Sequence, residues 1–83
     1  MESWILYLLE CSDKSLYCGI TNNLDKRLKL HNSGKASRYT RARLPVKLVA
    51  IKKNLSRSQA LRLELEIKKL PKDKKMIALN KQR

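Results

Sequence analysis

From Trp4 to Cys11 the chain is almost continuously apolar, and it turns polar at Ser12, Asp13, Lys14 and Ser15. A short run without alternation predicts a β-strand covered on both faces. Leu16 to Thr21 forms a second such run, and the short connection between them predicts an antiparallel hairpin. With a side-chain period of two, Tyr17 and Gly19 share one face of the second strand, while Leu16, Cys18 and Ile20 share the other. Gly19 weakens a strand interior, which predicts either a close approach to its backbone or a bulge.

Helical spacing begins after Thr21. Asn22 or Asn23 can cap a helix that carries Asp25 in its first turn, where the helix dipole favours an acid. Leu24 and Leu28 lie one turn apart facing the core, and Arg27 and His31 line a polar stripe beside them. Asn32, Ser33 and Gly34 close this helix. Lys35 to Arg43 reads as a basic loop, and Pro45 precedes a third strand from Val46 to about Ile51. Ser56 and Gln59 have capping-box spacing and open a second long helix that Pro71 stops. At about 100° per residue, Leu61, Leu63, Leu65, Ile67 and Leu70 make a broad apolar arc with Glu64 near its centre. Glu66 falls on the opposite side with Arg62 and Lys69. Pro71 to Arg83 predicts a short helix with Met76, Ile77 and Leu79 packed inward, followed by a frayed basic end. No internal repeat or linker interrupts the pattern.

The 83 residues suit one domain spanning 1–83 with one modest core. The net charge of +13 is unevenly placed. Up to Gly34 the acids Glu2, Glu10, Asp13 and Asp25 balance Lys14, Lys26, Arg27 and Lys29, so the later residues hold the whole surplus. Such a surplus favours a polyanion through counterion release, and nucleic acid is the commonest one; a solvated basic surface is the plainer reading. No stretch approaches the roughly 20 apolar residues of a spanning helix. The N-terminus lacks the pattern of a secretory signal, which points to a cytoplasmic protein without a membrane partner. Cys11, Cys18 and the single His are too few and wrongly spaced for a structural zinc site, so the cysteines read as reduced, half-buried strand residues.

A few polar residues fall on otherwise apolar elements: Tyr7, Tyr17, Arg27, His31 and Glu64. Taken singly, each has a structural explanation, and an ion pair between Arg27 and Glu64 is the strongest. Taken together they suit phosphodiester hydrolysis. That reaction needs an activated water, a charge clamp on the phosphoryl oxygens and stabilisation of the leaving oxygen. An inward carboxylate such as Glu64 must be paired, protonated or bound to a cation, and it can hold a largely hydrated Mg²⁺ or Mn²⁺. With one candidate acid, a two-metal site is not expected. Arg27 offers the planar donor fork that matches phosphate. A phenol, with a reference pKa of about 10, needs nearby positive charge to act as a base at neutral pH.

These residues resemble a known family. Ile5-Leu6-Tyr7, Tyr17-Cys18-Gly19, Asp25-Lys26-Arg27, His31-Asn32 and Ala60-Leu61-Arg62-Leu63-Glu64 are similar to the GIY-YIG nuclease domain over roughly residues 3 to 80. The likeness is strongest to its small stand-alone bacterial members, through Leu16 to Thr21, His31 to Lys35, Tyr39-Thr40-Arg41 and Glu66 to Leu70. Ile5, Leu6 and Cys18 depart from the letters of the motif at strand-packing positions. The resemblance implies an α+β fold, a three-stranded antiparallel sheet flanked by helices. It also implies a metal-dependent endonuclease that leaves a 5′-phosphate and a 3′-hydroxyl. Carried over by position, Tyr7 is the general base, Tyr17 orients the water or phosphate, and Arg27 binds the scissile phosphate. His31 assists proton transfer, Glu64 is the sole protein ligand of one Mg²⁺ or Mn²⁺, and Asn80 loosely matches a late Asn of the family.

Lys35, Arg38, Tyr39, Arg41 and Arg43 are the expected grip on nucleic acid, with Tyr39 able to stack on an unpaired base; the alternative is a solvated loop. The expected substrate is DNA, single-stranded or branched, as in repair or recombination, because so small a domain has little surface for reading a long duplex site. Specificity then comes from substrate shape or from a partner protein, or is weak. The rival expectation is a non-catalytic DNA- or RNA-binding module that retains the nuclease fold.

Overall fold

The computed structural model describes residues 3–81, without the side chains of residues 80 and 81. Its elements are β1 (Trp4–Glu10), β2 (Leu16–Thr21), α1 (Leu24–Asn32), α2 (Arg38–Arg41), β3 (Lys47–Leu55), α3 (Arg57–Lys68) and α4 (Lys72–Lys81). The strands form one antiparallel sheet in the order β2-β1-β3, an α+β architecture with helices against the sheet. Among the described residues no helix is long and apolar enough to cross a membrane.

The central position of β1 explains why its sequence does not alternate. Leu6 and Leu8 pack on one side with Cys18, Leu63, Ile67 and Leu79, in the layer built by α3 and α4. Tyr7 and Leu9 pack on the other with Cys11 and Val46, against Leu24 and Leu28 of α1. Both faces exclude water, so both need apolar side chains. The two cysteines are free and buried rather than half-buried, and they lie in different clusters on opposite faces.

The hairpin register is continuous from Ile5↔Thr21 to Glu10↔Leu16 and sets Tyr7 directly opposite Gly19. Residues opposite one another share a sheet face. The ring of Tyr7 lies across the Gly19 backbone, and a Cβ there would sit 2.5 Å from the phenol Cζ. The glycine thus answers a close approach and not a bulge. Register shifts occur instead between β1 and β3, where Asn54 takes a positive φ of 62° that Asn tolerates better than most residues.

Asn23 is the α1 cap, its side chain accepting from the Lys26 N–H, and Gly34 follows the helix with φ of 79°, a left-handed geometry that suits glycine. Ser56 and Gln59 form the expected capping box on α3. The ammonium of Lys75 on α4 donates to the carbonyls of Ile67 at 3.0 Å and Leu70 at 2.6 Å, tying α4 to the end of α3.

Several expectations need correction. The basic segment Lys35 to Arg43 contains the short helix α2, capped by the Ser37 hydroxyl, which accepts from the Thr40 N–H. The third strand runs on to Leu55, because residues beyond Ile51 still pair with the start of β1. Only Ala60, Leu63 and Ile67 of α3 are buried, whereas Leu61 and Leu65 are exposed. One sheet face contacts only a narrow stripe of the helix, so Glu64 lies at the rim of the buried stripe rather than at the centre of an arc. Ile77 is 51% exposed, while Leu79 of the same helix is buried. The side chain of Asn80 lies outside the described residues.

Gly19→Ala should therefore destabilise the protein by about 1–3 kcal/mol, the usual range for overpacking. Urea denaturation of the variant beside the parent measures this. Equal stability would mean that the Tyr7 ring does not cover the glycine.

Candidate active site

Tyr7 and His31 are brought together from β1 and α1, and each is almost fully buried. The Tyr7 hydroxyl lies 2.9 Å from His31 Nε2. On the other side of the imidazole, Nδ1 lies 2.8 Å from Thr40 Oγ1. Thr40 is itself 0% exposed, and its hydroxyl is 3.0 Å from that of Ser37. The four side chains make one chain of hydrogen bonds, buried from Tyr7 to Thr40 and half-buried at Ser37, and no buried side-chain nitrogen or oxygen among the described residues lacks a partner. Because a threonine hydroxyl both donates and accepts, the imidazole can take either tautomer. In one, Nε2 accepts the phenol hydrogen; in the other, its N–H donates to the phenol oxygen.

Tyr17 completes the aromatic wall. Its ring stands edge-on to His31 with centroids 5.2 Å apart, and Tyr39 stacks on it at 6.0 Å. His31 does not cap its helix, since both ring nitrogens are committed to Tyr7 and Thr40.

Arg27, one turn before His31 on α1, lines a polar cleft of about 290 Å³ with Thr21, Asn22, Asn23, Lys26 and Leu30. Its positive charge is felt by both buried rings. Burial raises the phenol of Tyr7 above its ordinary value; the neighbouring Tyr17 adds to this and Arg27 opposes it. The positive charge of Arg27 does pull this phenol down, but desolvation outweighs the guanidinium. His31 moves the other way. Burial, with help from Arg27, lowers it, so the imidazole is neutral at neutral pH.

Glu64 lies on α3, next to Leu63, which packs with Leu6 and Leu8 of β1. Its side chain is 17% exposed and pairs with Lys68 at 3.5 Å, one turn along the helix. The ion pair with Arg27, the plainer structural explanation of both residues, is not present among the described residues. Glu64 nevertheless bears on both layers: its charge helps to raise Tyr7, and it reinforces the burial that pushes Cys18 up to about 12. Among the described residues no three His, Cys, Asp or Glu side chains gather in one place. The donor set is thus one hard carboxylate, which fits a Mg²⁺ or Mn²⁺ that keeps most of its waters and does not fit a fully protein-coordinated ion.

Lys35, Arg38 and Arg41 are exposed around α2. Tyr39 and Arg43 are engaged with each other, the guanidinium carbon lying 3.9 Å from the ring centroid. Thr40, within the Tyr39-Thr40-Arg41 motif, and Ser37 carry a site role beyond the motif itself. Their signal was a Ser-x-x-Thr spacing close to the only histidine, which can place a capped turn against the ring. Asn32 also has a role that its motif concealed, accepting from the Val46 N–H and so tying α1 to the start of β3.

Two outcomes follow. Thr40→Val should cost about 1–3 kcal/mol in denaturant unfolding by leaving a buried imidazole nitrogen unpartnered, while Thr40→Ser should recover most of it. His31 binds its proton more weakly when folded than at its ordinary value of 6.5. Its contribution to stability is complete above that value and is lost as pH falls through the lowered folded value. Unfolding free energies measured between pH 7 and about pH 5 should show this slope, and His31→Gln should remove it.

A profile of the GIY-YIG catalytic domain matches residues 3–76. The UPF0213 protein of Syntrophus aciditrophicus is 50% identical over 77 residues, covering 92% of this chain and 88% of its own. The UPF0213 protein of Nitratidesulfovibrio vulgaris is 45% identical over 78 residues, covering 94% of this chain and 71% of its own. Among solved structures, the solution NMR structure of the UPF0213 protein of Bacillus halodurans is 41% identical with a TM-score of 0.59, covering 96% of this chain and 85% of its own. A protein of E. faecalis, also solved by NMR, is 37% identical with a TM-score of 0.63, covering 94% of this chain and 84% of its own. The ordered tyrosines, the Arg27 and His31 stripe, the late glutamate and this span of similarity make the chain a member of the GIY-YIG family.

Proposed function

We propose that the protein is a metal-dependent endonuclease acting on nucleic acid, with DNA as its substrate. The observation that carries this reading is the buried hydrogen bond between Tyr7 and a neutral His31. A phenol held above its ordinary range is a poor base by itself. Backed by an imidazole whose Nε2 can accept, it need not ionise in advance: as a water proton passes to the phenol oxygen, the phenol proton passes to Nε2. Tyr17 bounds the space in which the water and phosphate are oriented. Arg27 clamps the phosphoryl oxygens from the polar cleft, and Thr40 holds the imidazole in register. Glu64 would hold a single Mg²⁺ or Mn²⁺, which when bound supplies charge neutralisation at the phosphate. To do so it must exchange Lys68, whose side chain is half exposed and free to swing away. The charge surplus supplies attraction to the phosphate backbone, and the reading fits a cytoplasmic protein whose target is chosen by strand shape or by a partner.

A second reading is a nucleic-acid-binding module that retains the fold without cleaving. It is favoured by the engagement of Glu64 with Lys68 and by the lack of any further acid beside it among the described residues. End-labelled single-stranded, duplex and branched DNA, and RNA, incubated with Mg²⁺, Mn²⁺ or EDTA, separate the two. On the first reading, cutting needs the metal and falls by roughly 10²-fold or more in both Tyr7→Phe and Glu64→Ala. Salt-sensitive binding without cutting on any substrate, unchanged by either substitution, would establish the second.

A further inference from the structure

Tyr39 and Arg43 take no part in the chemistry above, yet they continue the aromatic wall outward. Tyr17 leans on His31, and Tyr39 stacks on Tyr17 with 29° between the rings. Over Tyr39 lies the guanidinium of Arg43, at the separation a nucleobase would take. That guanidinium is held on two sides: Nε donates to Asp13 at 2.9 Å, and a terminal nitrogen donates to the Tyr39 carbonyl at 3.0 Å. Asp13 is itself fixed by the Ser15 N–H at 3.0 Å. The hairpin turn before β2 therefore reaches across to the α2 segment and keeps the cation on the ring.

This arrangement is easily exchanged. The Arg43 and Asp13 side chains are 35% and 48% exposed, and an ion pair that open to water contributes little. A cation over an exposed ring is worth no more than a base stacked on it. A guanidinium that leaves the ring also retains a use, because its donor fork matches a phosphate. Lys35, Arg38 and Arg41, all exposed on the same segment, add positive charge to it. A base inside a duplex is already stacked on both sides and cannot enter.

We infer that Tyr39 is a stacking platform for one unpaired nucleobase, that Arg43 covers it in the free protein, and that Asp13 is the latch holding Arg43 there. The inference rests on the nucleic-acid reading above and specifies which form of nucleic acid the site accepts. The platform ring is itself stacked on Tyr17, so recognition of an unpaired base is built onto the wall of the catalytic unit. Tyr39 is thus not freely available to a base, as the sequence implied, but becomes available when Arg43 moves.

The test is equilibrium binding by fluorescence anisotropy of a short single-stranded oligonucleotide and an abasic strand of equal length, in DNA and in RNA, with a duplex as control. The ratio of the two affinities cancels changes in protein charge, because both strands carry the same phosphates. The parent should prefer the strand with bases by about tenfold, a ratio that Tyr39→Phe keeps and Tyr39→Leu brings to about one. Asp13→Asn should raise the ratio, since it frees Arg43 without touching the ring. A preference seen in DNA, RNA or both supports the platform and identifies its source. Salt-sensitive binding with no base preference, or an equal preference in Tyr39→Leu, overturns this inference and leaves the nucleic-acid reading standing. An unchanged ratio in Asp13→Asn overturns the latch, and absence of binding to every strand overturns both inference and reading.

Discussion

A phenol and an imidazole sealed from water and bonded to each other impose their needs on much of the surrounding structure. Neither polar group can be buried unpartnered without a cost of about 1–3 kcal/mol, so each atom of the Tyr7 and His31 pair must be answered. Nδ1 is answered by Thr40, and Thr40 is placed by a four-residue helix that Ser37 caps. The ring of Tyr7 needs room over the neighbouring strand, and Gly19 supplies it. A glycine in a strand and a hydroxyl on a short helix, far apart in the sequence, thus serve one side-chain pair.

The charges are disposed around this pair rather than within it. Arg27 acts on it from α1, and Glu64 acts on Tyr7 from α3. Two opposite charges kept apart can each meet a different part of a phosphodiester, whereas a direct pair would neutralise both. The partner of Glu64 is instead a half-exposed lysine on its own helix, an arrangement that costs little to undo. Burial raises the phenol and lowers the imidazole, which keeps both neutral until something between them moves a proton.

Much of this was legible in the sequence, and the parts that were not share a cause. The unalternating apolar run around Tyr7 identified a strand buried on both faces, and the cap at Ser56 and stop at Pro71 bounded α3. These are local signals. The face that Leu61 and Leu65 present was misjudged because periodicity reports which positions are apolar, not how wide a surface the neighbouring layer offers. Thr40 and the short helix that carries it were hidden within a basic segment, where charge masked the one buried hydroxyl. The direction of the Tyr7 shift was also out of reach, because it depends on how completely the ring is enclosed. Residue types revealed the candidate chemistry; environment determined which proton each residue keeps.

The order β2-β1-β3 leaves β3 as an open edge of the sheet. Unpaired backbone groups along such an edge invite a strand from another molecule, the first step of ordered aggregation. Lys47, Lys52 and Lys53 line β3, and the register shifts opposite them keep the strand from lying flat. Mutual repulsion then keeps copies of the chain apart as long as those ammonium groups carry their charge unscreened. A polyanion that neutralises them removes the protection, so colloidal stability should be lowest near charge equivalence with a long nucleic acid and recover when either component is in excess.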